Sequence, residues 1–290
     1  MKINIHELKD RELKYVVIVA KYQNKLIMVR HRDRTTYEIP GGHIEALELP
    51  DEAAKRELFE ETGAVAYEIE AIGDYSVGES YGRLYTANIT KLGKLPESEI
   101  AEVTNLNDNM TWTYDKIQPY LIQFAECYNS IRVLSTDDSA NFINLLETLD
   151  YETTFMMFEP GERKSTVEDT KNRIEQILSS GMCFVDDNLN GFILLSRGQC
   201  NRVSHVGYLV MGIKQAASGK KLGTLLFNKM IKWATENNLH RLELTVMVQN
   251  ESGVNLYKKM GFDIEGIKKD SMCIDGVYVD EYYMSKLLEV

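Results

Sequence analysis

The sequence predicts an α/β (α+β) chain of two domains, and three observations lead there. The 290 residues are long for one compact core and comfortable for two. β-Branched, strand-like runs interleave with amphipathic helical runs. That interleaving occurs in two successive blocks, with the division near residues 127–131, so that 1–128 and 129–290 form the two domains. Neither Pro nor Gly marks the division, which predicts a short linker.

In the first block, Tyr15–Ala20 and Lys25–Arg30 read as strands on either side of a Gln23-Asn24 turn. A Pro40-Gly41-Gly42 break follows. A helix is predicted over about 50–63, with Pro50 in its first turn and Gly63 as its stop. Strands are expected around 67–76 and 82–92, and a closing helix over 117–128. In the second block, helices are expected over about 137–150 and 165–180. Strands near 182–186, 190–197 and 204–213 follow, then a Gly/Lys-rich turn at 218–223 and a helix to about Asn238. A strand over 241–248, a short helix over 252–260 and further strands complete the chain.

Composition narrows the function classes. Apolar residues make up 44% and charged residues 27%, the balance of a soluble globular protein. No stretch is long and apolar enough to span a bilayer, and Met1–Glu7 lacks an apolar signal core. The reading is a cytoplasmic protein with no membrane partner. A net charge of −11 argues against nucleic acid, whose affinity for proteins rests on phosphate neutralisation. The four cysteines, Cys127, Cys183, Cys200 and Cys273, show no metal-ligand spacing and read as small buried hydrophobes.

The strongest local pattern runs from Gly42 to Ala64. It puts Glu57, Glu60 and Glu61 at i, i+3 and i+4, on one helix face. Such carboxylates repel one another unless a cation lies between them. Hard divalent cations take oxygen ligands and keep waters for substrate phosphates. Arg56 precedes Glu60 by four residues and can hold a glutamate by a charge-assisted bond. A solvated acidic face is the plain alternative for three glutamates alone.

The whole string resembles the Nudix box, G-x5-E-x7-R-E-U-x-E-E-x-G-U. Gly42, Glu48, Arg56, Glu57, Glu60, Glu61 and Gly63 occupy its fixed positions, and Leu58 and Ala64 its aliphatic ones. Where many such boxes carry Gly before the first glutamate, this chain has Leu47, which implies a differently shaped loop. The resemblance covers roughly residues 1–125 and implies an α/β/α sandwich around a mixed sheet. It also implies hydrolysis of a nucleoside diphosphate-linked or triphosphate substrate with Mg2+ or Mn2+. By position, Glu57, Glu60 and Glu61 would be metal ligands, joined by the Gly42 carbonyl, and Arg56 would orient a glutamate. Glu48 would lie near the metals, with Glu99 and Glu102 as candidate general bases. Arg30, His31, Arg32 and Arg34 could meet phosphates or form a solvated face, and Tyr37 is better read as a packed aromatic than as a base-stacking one.

The second block carries a Gly/Lys turn, Ser218 to Thr224, opening a helix. Free N–H groups and the positive dipole end there suit a pyrophosphate. Further on stands Asn250-Glu251-Ser252-Gly253-Val254-Asn255-Leu256-Tyr257-Lys258-Lys259-Met260-Gly261-Phe262. The two runs, with strand Arg241–Val246 between them, resemble the GNAT acetyltransferase family over about residues 131–290. That resemblance implies a splayed mixed sheet with acetyl-CoA in its cleft and a primary amine as acceptor. Met211 and Ile213 would pair with the pantetheine arm. Gly219, Lys220, Lys221, Leu222, Gly223 and Thr224 would hold the pyrophosphate, and Asn250 would contact the cofactor. Tyr257 would protonate the departing thiolate. Ser218 and Lys221 depart from the family's Q/R-x-x-G-x-G/A loop, Lys221 replacing a glycine that lets backbone approach closely. Glu243 and His205 are candidate bases, each readable as structural. The readings are two active enzymes or, alternatively, an active hydrolase with a degenerate GNAT module that only binds CoA or a related ligand.

Overall fold

A computed structural model of the chain describes residues 3–6, 8–9 and 11–288. Met1, Lys2 and Glu7, part of the segment read for a signal core, lie outside the described residues. No described helix is long and apolar enough to cross a membrane. The chain divides into two compact units, Met1–Tyr128 and Asn129–Val290.

The first unit is a mixed sheet with helices. Its strands are β1 (Ile3–His6), β2 (Tyr15–Tyr22), β3 (Lys25–His31), β4 (Gly41–His43), β5 (Ala64–Val77), β6 (Ser80–Leu92) and β7 (Ile100–Asn105). Their order is β1-β5-β6-β2-β3-β7, with β4 paired to β2. The β2–β6 pair is parallel and the other pairs antiparallel. Gln23 and Asn24 carry φ of 51° and 61°, the two left-handed residues that a tight hairpin with matching twist needs.

Helix α1 (Pro50–Thr62) follows β4. Glu52 accepts the Leu49 N–H at 3.1 Å, and Gly63 ends the helix at φ 72°, donating its N–H to the Phe59 carbonyl. The helix packs Ala53, Ala54 and Leu58 onto Val16, Ile18, Val29 and Ile89 of the sheet. Helix α2 (Gln118–Asn129) buries Leu121, Phe124 and Tyr128. Strand β7 lies between the expected strand over 82–92 and the expected helix over 117–128, where no element was expected. Alternation is faint there, because only Ile100 of the strand is fully buried.

The second unit comprises β8 (Ile131–Val133), α3 (Ser139–Glu152), α4 (Val167–Ser180), β9 (Gly181–Asp186), β10 (Gly191–Arg197), β11 (Val206–Ile213), α5 (Leu222–Glu236), β12 (Arg241–Met247), α6 (Glu251–Lys259), β13 (Asp263–Ile274) and β14 (Val277–Leu287). The sheet order is β13-β14-β12-β11-β10-β9-β8. Only β11 and β12 are parallel, and their register covers three pairs, Val206↔Arg241 to Tyr208↔Glu243. Beyond that point β11 runs on to Ile213 beside β10, and β12 runs on to Met247 beside β14. A cleft opens where the two lose each other.

A buried bidentate pair ties the α3 end to the segment before α4, with Asp150 accepting from Arg163 Nε at 2.7 Å and Nη2 at 3.0 Å. The cysteine expectation needs correction. Cys183 is buried, and burial pushes its thiol up to about 12, but Cys200 and Cys273 are exposed. Cys200 sits in the turn after β10, and Cys273 at the far end of β13.

Candidate functional site

The first unit's candidate site begins with Arg56 on α1. Its guanidinium holds Glu48 in a fork, Nε to Oε1 at 2.8 Å and Nη2 to Oε2 at 2.9 Å. The Nη1 group donates to Glu57 at 2.8 Å and to Glu60 at 3.2 Å, and Nη2 also reaches the His43 carbonyl at 3.0 Å. Helical spacing puts Glu60, one turn on, within reach of Arg56. Arg56 holds Glu48 below the usual carboxylate range, whereas burial outweighs Arg56 at Glu57 and raises its pKa.

Gly42 of β4 lies directly over this group. A Cβ at that position would come within 2.1 Å of Glu57 Oε1, so glycine lets the strand backbone pack on the carboxylate where it now stands.

Glu61 turns away from its two partners. It is 4% exposed, accepts the Gly41 N–H at 2.9 Å, and lies 3.4 Å from His31 Nε2. Burial raises its pKa, with His31 and Gly41 opposing. The three box glutamates therefore share a helix face but do not converge on one point. Arg56 draws Glu57 and Glu60, while β3 and β4 draw Glu61. Among the described residues, the group whose ligand atoms lie within 4.8 Å of one another is His31, Glu61 and Glu99.

Three members of the basic cluster before the box, Arg30, His31 and Arg34, are engaged with carboxylates, whereas Arg32 is exposed. Arg30 donates to Glu102 at 3.0 and 3.2 Å, and Arg34 to Glu38 at 2.7 Å. Tyr37 also donates to Glu102, at 3.0 Å, and lies under the Arg30 guanidinium as a packed aromatic. Glu102 is thus tied to Arg30 and Tyr37, while Glu99 reaches His31. Leu47 carries φ 69°, so the loop before Glu48 adopts the backbone a glycine would give it, contrary to the altered shape its side chain implied.

The second unit's site is the cleft between the parted ends of β11 and β12, about 610 Å3 in volume. Its walls include Met211, Ile213, Gly219, Lys221, Leu222, Gly223, Thr224, Asn250 and Tyr257. Lys220, assigned to the same ligand, is exposed and stands outside the lining. Lys221 takes φ 68° and Gly219 φ 73°, so the turn keeps a left-handed step at the position where glycine was expected. Burial lowers the Lys221 pKa, and Lys259 adds like-charge repulsion. Asn250 caps α6, its Oδ1 accepting the Gly253 N–H at 2.9 Å. Burial pushes the Tyr257 hydroxyl up to about 12.

Glu243 is bonded to Arg241 and, like His205, does not line the cleft. Sequence reasoning missed Glu281, a nearly buried carboxylate on β14 that lines the cleft and accepts from Ser271 at 2.9 Å. A charge inside the strand-like run Val277–Met284 was its only sequence signal.

Comparison with known families matches the description NUDIX domain to residues 12–121 and Acetyltransferase (GNAT) family to residues 145–262. The chain carries a NUDIX domain and a GNAT domain. The GNAT unit is similar to L-amino acid N-acetyltransferase AaaT of Escherichia coli, with 32% identity over 104 residues, 36% of this chain and 64% of the relative. The NUDIX unit is similar to a Bacillus subtilis protein described as "Putative 8-oxo-dGTP diphosphatase YtkD", with 39% identity over 85 residues, 28% of this chain and 53% of the relative. The chain thus spans less than two thirds of the length of both curated relatives. A GNAT-family acetyltransferase from Streptococcus pneumoniae superposes with a TM-score of 0.52 at 29% identity, covering 55% of this chain and 98% of that one. A phosphinothricin acetyltransferase (Pat) from Sinorhizobium meliloti, solved in complex with AcCoA, shares the fold of the GNAT unit at a TM-score of 0.50 and 15% identity, over 55% of this chain and 87% of that one.

Proposed function

We propose that the chain is bifunctional. In this reading the NUDIX unit hydrolyses a nucleoside diphosphate-linked or nucleoside triphosphate substrate with a divalent cation, Mg2+ or Mn2+. The GNAT unit transfers acetyl from acetyl-CoA to a primary amine.

The arrangement around Arg56 carries the first half. One guanidinium holds Glu48, Glu57 and Glu60 beneath a glycine backbone, and burial raises the pKa of Glu57 and Glu61. Carboxylates gathered in this way fit a hard cation, which would neutralise a diphosphate and lower the pKa of a bound water. Glu57, Glu60 and Glu61 would hold it, together with the Gly42 carbonyl. Arg56 anchors Glu48 and keeps Glu57 and Glu60 within reach.

The parting of β11 and β12 beside Tyr257 carries the second half. The exposed backbone of Met211 and Ile213 would pair with the extended arm of the substrate, and the turn from Gly219 to Thr224 opens α5 toward its phosphates. A neutral amine nitrogen bonds to the acetyl carbon as the carbon–sulfur bond breaks, Tyr257 gives its proton to the leaving sulfur, and the proton that the nitrogen sheds passes to water, from which Tyr257 is reprotonated. With a pKa near 12 the hydroxyl is protonated at neutral pH, the form an acid needs. The left-handed Lys221 supports a working loop over a degenerate one.

Calorimetric titration with acetyl-CoA, run beside a phosphate-release screen of nucleotides with Mg2+ or Mn2+, tests both halves. Saturable acetyl-CoA binding without its hydrolysis, and release from at least one nucleotide, are expected. No acetyl-CoA binding would overturn the transferase half, and no metal-dependent release the hydrolase half.

A further inference from the structure

In the NUDIX unit, an imidazole that the box does not contain stands with two carboxylates close enough to share one cation. His31 stands at the end of β3, where a bulge between Arg30 and His31 breaks the register with β7. Bulges re-aim a side chain, and here the ring lies among three carboxylates. Its Nε2 is 3.4 Å from Glu61 and 3.1 Å from Glu38, and its Nδ1 is 3.5 Å from Glu99.

Charge separates these three carboxylates. Arg34 donates to Glu38 at 2.7 Å and neutralises it. Glu61 and Glu99 remain, two negative oxygen ligands beside a ring nitrogen, which balances one divalent cation. The ring nitrogen and the two carboxylate oxygens already lie within 4.8 Å of one another. Glu61 is held by the Gly41 N–H, so one of its oxygens is oriented while the other faces His31.

We propose that His31 is a metal ligand of this unit, acting with Glu61 and Glu99, and that it biases the centre toward a first-row transition cation over Mg2+. Imidazole nitrogen suits transition metals, whereas Mg2+ demands oxygen ligands in near-ideal octahedral geometry. The inference rests on the metal-dependent reading of the NUDIX unit, and it adds a nitrogen to a ligand set otherwise made of oxygen. Glu99 would then act on the metal, where sequence reasoning offered it as a base.

Pulsed electron paramagnetic resonance of the full chain loaded with Mn2+ tests this directly, because a coordinated imidazole imprints a nitrogen modulation on the Mn2+ echo. The wild-type spectrum should show that modulation, and labelling histidine with 15N should change it. His31→Gln should remove it, weaken Mn2+ binding at least about tenfold, and leave Mg2+ binding, read by displacement of Mn2+, within about twofold. Bound Mn2+ without nitrogen coupling would overturn the proposal while leaving metal dependence standing, as would coupling that survives in His31→Gln. Absence of any Mn2+ or Mg2+ binding would overturn the metal-dependent reading itself. The chain holds five histidines, so should His31→Gln fail to fold, His31→Asn read by the same echo assigns the nitrogen: loss of the modulation supports His31, and its survival overturns the proposal.

Discussion

The candidate sites of the NUDIX and GNAT units are built by different means. The NUDIX site is built from charged side chains: Arg56 and His31 and the carboxylates around them. The GNAT cleft is built from parted strands, a turn with two left-handed residues, and one buried hydroxyl. A site of side chains depends on the identity of each residue. A site of backbone depends on conformation and tolerates any residue that can adopt it.

This contrast can be broken most sharply at Glu61. Glu61→Gln should lower metal-dependent hydrolysis by about a hundredfold or more, the upper end of what loss of metal positioning costs. Acetyl-CoA affinity of the same variant, measured by calorimetry, should not change. Joint loss of both in a folded protein would show that the units do not act independently.

In the proposed acetyl transfer, the side chain assigned the acid role is Tyr257. Tyr257→Phe should slow acetyl transfer by about a hundredfold, the lower end for general acids, with acetyl-CoA affinity preserved. Because burial raises this hydroxyl to about 12, the acid form persists as pH rises past the ordinary tyrosine value near 10. The ratio of wild-type to variant rate should therefore stay flat from pH 7 to about 10. A ratio that collapses below pH 10 would remove Tyr257 from the acid role.

A smaller effect is expected at Gly42, where backbone and side chain meet. A methyl group there must displace the Glu57 carboxylate, a flexible group that can move. Gly42→Ala should keep the fold and lower hydrolysis about tenfold, the low end for a misplaced metal ligand. Unchanged kinetics would mean that Glu57 can serve from more than one rotamer.

The smallest effects should come from Leu47→Gly and Lys221→Gly. A left-handed residue costs roughly 1–2 kcal/mol, and glycine gives back about 0.5–1 kcal/mol through its freer unfolded chain. Each substitution should raise stability by no more than about 1.5 kcal/mol. A loss at either site would show that the side chain, not the backbone, maintains the turn.

These two residues also show where reading the sequence went astray. Leu47 and Lys221 each stand where the family patterns favour glycine; Leu47 was read as a change of loop shape, and Lys221 as the loss of a close backbone approach. Both adopt positive φ instead, at 69° and 68°. A sequence pattern records which residue is easiest at a backbone conformation, and packing can impose that conformation on another residue. The strand Ile100–Asn105 was hidden for a related reason, since only one of its side chains is fully buried and no alternation betrays it.

What the residues declared by themselves was whatever depends on spacing along one element. The α1 limits follow from Pro50 and Gly63, the hairpin from Gln23-Asn24, and the reach of Arg56 to Glu60 from the helical repeat. The fold decided how those elements face their neighbours. It sent Glu61 to His31 and away from Glu57, matched Arg30 and Arg34 with carboxylates, and brought Glu281 into the cleft. Such pairings join residues distant in the chain, and a charged side chain takes the partner that desolvation and geometry leave nearest, which no local pattern encodes.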